Sequence, residues 1–143
     1  MEALARLLPT LSAAAGGATV VGIGIDVVML ERIVRARSRH DLMRHVCAPD
    51  EGVGELDDAT AARIWAGKEA IGKALGSGFW QDGVDWSDVR LGPDLRVRLA
   101  GRAAELAAGD HFEVAFAEEQ GHVLAAAWRL RPVRSHAETP AVS

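Results

Sequence analysis

Residues Trp65 to Phe79 read WAGKEAIGKALGSGF, and they hold both lysines of the chain. Every other cationic side chain is arginine, fourteen against two. Trp65, Glu69 and Lys73 recur every four residues, so a helix places them on one face. Ile64, Ile71 and Leu75 form the neighbouring apolar face, and Lys68 falls beside it. Glu69 therefore sits at the edge of a core with an ammonium on each side. A plain Glu69–Lys73 surface pair would explain the spacing and be worth only ~0.3 kcal/mol. An inward-facing lysine, however, calls for a partner. The helix also ends in Gly76, Ser77 and Gly78, whose amides and hydroxyl can face a phosphate. Carboxylate, two ammoniums and exposed amides together suit a metal–phosphate substrate.

Working outward, VVGIGID at residues 20–26 reads as a strand with β-branched residues and glycines for close approach. Asp26 ends it, either as a helix N-cap or as a second hard oxygen ligand for Mg²⁺. Residues 29–45 read as a helix with Leu30, Ile33 and Val34 on one side and arginines on the other. Asp57 or Asp58 caps the helix that runs to Leu75. Downstream come short strands at 89–91 and 95–99, a helix over GRAAELAA, and a hairpin of 111–117 and 122–129 turned by 118–121. The pattern predicts an α+β fold with a long helix packed on a small antiparallel sheet.

Bulk properties narrow the classes. The chain has 143 residues, 49% hydrophobic and 25% charged, which fits one globular domain. Its net charge of −4 gives no footprint for nucleic acid. One cysteine, Cys47, excludes an internal disulfide and fits a reducing, cytoplasmic setting. Glu2, Pro9 and Gly16-Gly17 argue against a secretory signal, and no apolar run reaches the ~18 residues of a membrane span. Residues 1–18 read as an N-terminal extension, 19–131 as the domain and 132–143 as a disordered tail. GIGIDV lacks the last glycine of a dinucleotide loop, no phosphate-binding GK(S/T) motif is present, and the five histidines lack zinc spacing with Cys47.

Together, GIGID and, 43 positions from Asp26 to Glu69, the WAGKEAIGKALGSGF block resemble the 4'-phosphopantetheinyl transferases of the small holo-acyl-carrier-protein synthase type. LERI at 30–33 and CAPDE at 47–51 resemble the family's intervening helix start and turn. The resemblance implies that family's fold, and transfer of the phosphopantetheine arm of coenzyme A to a carrier-protein serine, releasing adenosine 3',5'-bisphosphate. It implies Asp26 and Glu69 as ligands of Mg²⁺, with Mn²⁺ as a substitute. Asp26, Glu69 and Lys73 would be catalytic, with Glu69 accepting the serine proton directly or through a bound water. Lys68, Lys73, Gly76, Ser77 and Gly78 would contact coenzyme A. Arg32 and Arg39 would dock an acyl carrier protein, and three chains would form a homotrimer.

The chain departs from the family near its end. Glu118 stands where a histidine is expected, and Leu95 where a proline is expected. Three readings follow: the nucleotide is held differently, Glu118 points away or joins the metal, or the site is degenerate. A non-catalytic carrier-protein or coenzyme A binding module and a Mg²⁺-dependent pyrophosphate or nucleotide hydrolase remain as alternatives.

Overall fold

The computed structural model describes residues 2–3, 5–7, 17–39, 42–47, 56–76 and 82–133. In chain order it comprises β1 (Thr19–Met29), α1 (Leu30–Arg39), α2 (Leu42–Val46) and α3 (Asp58–Leu75). A 3-10 turn (Trp86–Asp88), β2 (Val89–Leu91), β3 (Val97–Leu99), α4 (Gly101–Ala107), β4 (His111–Glu119) and β5 (His122–Arg131) follow. The main sheet is antiparallel in the order β1-β5-β4, and β2 pairs with β3 apart from it. The long helix α3 lies across β1 and β5, which is the expected α+β arrangement.

Small residues let α3 approach the sheet closely. Ala62, Ala66, Ala70 and Ala74 follow one another at four-residue spacing and are all buried. Ala74 meets Gly22 of β1, and Ala70 and Ala74 meet Gly24 so tightly that a Cβ built on Gly24 would lie 1.9 Å from the Ala70 carbonyl oxygen. Val28, Ile64, Ile71, Phe112, Val123 and Ala125 close the same core. Asp57 caps α3 by accepting the Thr60 N–H at 2.7 Å, as the sequence predicts, and Gly76 ends it at φ 87°.

Several boundaries differ from the sequence reading. β1 continues through Met29, because its ladder with β5 runs to Met29 opposite His122. The helix expected over 29–45 is two helices, with His40 and Asp41 outside the described residues. β3 begins at Val97, since Leu95 adopts φ 55° and cannot extend a strand. The hairpin strands are longer than expected and turn at Gln120-Gly121. Beyond Val133 the expected tail lies outside the described residues.

Arg129 of β5 ties the C-terminal ends of two helices together. It donates to the Leu75 carbonyl of α3 and to the Leu106 and Ala107 carbonyls at the end of α4. Its charge is met by the buried Asp110 at 2.7 Å, which also accepts from Arg131. The Arg131 hydrogen bond, helped by Arg129, holds the Asp110 carboxyl below the usual carboxylate range, against burial that raises it. A carboxylate whose folded pKa is depressed stabilises the fold above its unfolded pKa of about 4, and this is lost as pH falls through the lowered value. The melting temperature is therefore expected to fall more steeply below about pH 4 in the wild type than in Asp110→Asn. Equal slopes in melts taken across that range would contradict this.

Candidate active site

The site forms where β1 and α3 cross. Gly24 packs on Ala70, so Asp26, two residues on and facing the helix, comes up beside the Glu69 and Lys73 side of α3. Lys73 Nζ donates to Asp26 Oδ1 at 3.0 Å and to the Ile25 carbonyl at 2.9 Å. The sequence suggested a Glu69–Lys73 pair one helical turn apart. The fold instead brings Asp26, 47 positions away, to the ammonium. Asp26 thus reaches side chains of α3, and its cap role is not what the structure records.

Glu69 is half-buried beside this pair. Burial raises its carboxyl above the usual range, the Asp26 carboxylate raises it further, and Lys73 opposes both. Two carboxylates share one lysine, so the site favours an additional cation. Asp26 and Glu69 both line a cavity of about 400 Å³ with Arg32, Ile33 and Trp65. Hard oxygen donors opening on one cavity fit Mg²⁺, which takes one or two carboxylates and leaves other positions to phosphate oxygens and water. Among the described residues no cluster of three or more His, Cys, Asp or Glu offers a complete protein cage.

Trp65 forms one wall of the cavity, backed by Trp86 with ring centroids 4.7 Å apart. From there a second hollow of about 470 Å³ runs along α1 past Arg32, Arg35 and Arg39. Arg35 is engaged by Glu31, and Arg37 by Asp58 and the Leu56 carbonyl at 2.7 Å each. Arg32 and Arg39 make no ion pair among the described residues. Arg32 belongs to both hollows.

Other expected ligands lie elsewhere. Lys68 is fully buried, and its ammonium donates to the Val46 carbonyl and, at 3.1 Å, to the Trp86 carbonyl. It fastens α2 and the 3-10 turn to α3 and has no surface to offer coenzyme A. The inward position was legible from helical spacing, but the carbonyls that satisfy it come from segments 18 and 22 residues away. Lys68→Met, which strands those carbonyls, is expected to cost about 3 kcal/mol in urea unfolding. A loss below ~1 kcal/mol would restore the ligand reading. The Gly76 N–H bonds to the Lys73 carbonyl at 3.1 Å, so that amide is taken by the helix cap. Ser77 and Gly78 lie outside the described residues.

Glu118 neither joins Asp26 nor faces solvent alone. It accepts from Arg63 Nε at 3.1 Å and Nη2 at 2.7 Å. Arg63 is on α3, and β5 separates the Glu118 strand from β1. No periodic signal linked positions 63 and 118, 55 residues apart.

The chain is similar to known proteins over most of its length. A profile of the 4'-phosphopantetheinyl transferase superfamily matches residues 22–127. The chain belongs to that superfamily. It is 40% identical over 98 residues to the holo-acyl-carrier-protein synthase of Halorhodospira halophila, covering 62% of this chain and 77% of that one. The synthase of Acidithiobacillus ferrooxidans is 39% identical over 101 residues, covering 63% and 78%. Among solved structures, the acyl carrier protein synthase of Mycobacterium tuberculosis matches with a TM-score of 0.58 and 29% identity, covering 80% of this chain and 100% of that one. The Helicobacter pylori holo-acyl-carrier-protein synthase, solved in complex with coenzyme A, shares the fold at TM-score 0.61 and 22% identity, covering 75% and 98%. The phosphopantetheinyl transferase fold expected from the sequence is therefore the fold observed.

Proposed function

We propose that this chain transfers the 4'-phosphopantetheine arm of coenzyme A to a serine of an acyl carrier protein, or of a polyketide or peptidyl carrier. The observation that carries the reading is the convergence of Asp26, Glu69 and Lys73 on one side of α3, beside a cavity continuous with Arg32. Relatives named holo-acyl-carrier-protein synthase at about 40% identity support it. In the reaction the serine oxygen bonds to the β-phosphorus, the bond to adenosine 3',5'-bisphosphate breaks, and the hydroxyl proton leaves to a base.

Asp26 and Glu69 would hold Mg²⁺, or Mn²⁺ through the same oxygens, and the bound ion would neutralise pyrophosphate charge. Glu69, with its carboxyl raised by burial, is the base that accepts the serine proton. Lys73, half exposed, turns its ammonium toward the phosphates and stabilises the leaving group. Trp65 shields one side of the cavity from water. Arg32 and Arg39 dock the acidic carrier. The reading includes a homotrimer and a cytoplasmic location, which the lone cysteine favours. Among the described residues no helix is long and apolar enough to cross a membrane.

Incubation with coenzyme A, Mg²⁺ and a panel of apo carrier proteins tests the proposal by the phosphopantetheine mass gain. Coenzyme A binding without any mass gain would favour a binding module. Nucleotide release without a carrier would favour a hydrolase.

A further inference from the structure

The two faces of the main sheet are treated differently. One face receives α3. On the other, β5 presents Ala126, Trp128 and Leu130, each no more than 1% exposed. The start of the chain packs against them. Residues 2–3 and 5–7 are helical, Leu7 packs with Ala126, Trp128 and Leu130, and the Ala3 N–H donates to Glu119 Oε2 at 3.3 Å. The first residues are thus laid over the β4–β5 half of the outer face.

Among the described residues the β1 half has no such cover. Val20, Ile23, Ile25, Val27 and Met29 are 40–57% exposed. Register places Ile23 beside Trp128 and Ile25 beside Ala126, so covered and uncovered halves form one apolar surface. Among the described residues β1, 11 residues long, is an edge strand with β5 as its only neighbour in the sheet. An uncharged apolar stripe suits another copy of this chain better than an acidic carrier. Five half-exposed side chains offer roughly 400 Å², against about 800 Å² per partner in a stable interface. The other half of the surface is the part that Leu7 occupies. The cover is also imperfect, because the buried Trp128 indole N–H has no acceptor among the described residues.

We infer that the N-terminal segment limits self-association: Ala3 and Leu7 hold it over the β5 half of the outer face in cis and leave only the β1 stripe to another copy of the chain. This rests on the proposed homo-oligomer. The test compares full-length wild type, Leu7→Asp, Leu7→Ser and Ile25→Asp by sedimentation velocity over a concentration series. Thermal melts establish that each is folded. Lifting the cover adds Ala126, Trp128 and Leu130 to the contact, so both Leu7 variants should associate at concentrations at least tenfold lower than wild type. Ile25→Asp should be monomeric at every concentration tested. Leu7 variants that associate as wild type does, or more weakly, overturn the inference while sparing the oligomer. All four proteins remaining monomeric would instead remove the oligomer itself, and the inference with it. If neither Leu7 variant folds, the segment is part of the core rather than an adjustable cover, which also overturns it.

Discussion

Glu69→Gln is expected to lower phosphopantetheine transfer by about 10³-fold or more, and Asp26→Asn by a similar factor. Each keeps the shape of the side chain and removes one oxygen charge from a site that has two carboxylates among the described residues. The fold should survive. Burial and the neighbouring Asp26 raise the Glu69 carboxyl, so its charged form is disfavoured in the folded chain. A carboxyl raised in this way gives stability that is present below its unfolded pKa and lost as pH rises through the folded one. At neutral pH the amide in Glu69→Gln removes that strain, and without metal its melting temperature should match or exceed wild type. Mg²⁺ gives a readout that does not depend on transfer. An ion that binds the folded chain raises its melting temperature, and it should do so in wild type but not in either variant. Full transfer by Glu69→Gln, or an undiminished Mg²⁺ shift in both variants, would refute the metal assignment.

What the sequence disclosed followed from how far each signal reaches along the chain. The 58–75 helix was legible because its cap, its four-residue spacing and its terminal glycine are all local. The hairpin was legible from two strand-like runs either side of Glu118–Gly121, although the strands run on to Glu119 and Arg131 because each ladder continues wherever its partner does. Asp26 was found as a carboxylate ending a glycine-bearing strand, and the family resemblance paired it with Glu69. Its ion pair with Lys73 was not, since a helical turn already offered Glu69 to that lysine. Lys68 shows the same limit: periodicity turned it inward, but nothing local named the Val46 and Trp86 carbonyls that receive it. The Arg63–Glu118 pair and the fold-back of Ala3 and Leu7 are contacts across 55 and more than 100 residues, set by tertiary packing alone.

Gly24→Ala is expected to destabilise the protein by about 3 kcal/mol and to weaken transfer even in the molecules that stay folded. The added methyl would lie 1.9 Å from the Ala70 carbonyl oxygen, 2.6 Å from the Ala74 nitrogen and 2.8 Å from Lys73 Cβ. All three atoms belong to α3, and two are backbone, so no flexible side-chain tip can swing aside. Strand and helix must separate instead. Asp26 is two residues along the same strand, and Glu69 and Lys73 are on the same helix, so separation opens the site as well as the core. A misplacement of ~1 Å in such a constellation can cost about 10²-fold in rate. The clash is with the Ala70 main chain, so adding Ala70→Gly to the mutant should rescue nothing. Gly109→Ala separates this steric effect from a general sensitivity to lost glycines. Nothing lies within 4 Å of the position its methyl would take, and only its φ of 87° opposes it. It should cost about 1 kcal/mol through backbone strain and leave the transfer rate of the folded enzyme unchanged. Urea unfolding and transfer rates per folded molecule decide the matter. If Gly24→Ala melts and turns over like wild type, close approach of β1 to α3 is not what places the two carboxylates. If Ala70→Gly restores it, the obstacle is a side chain and the strand has room to move.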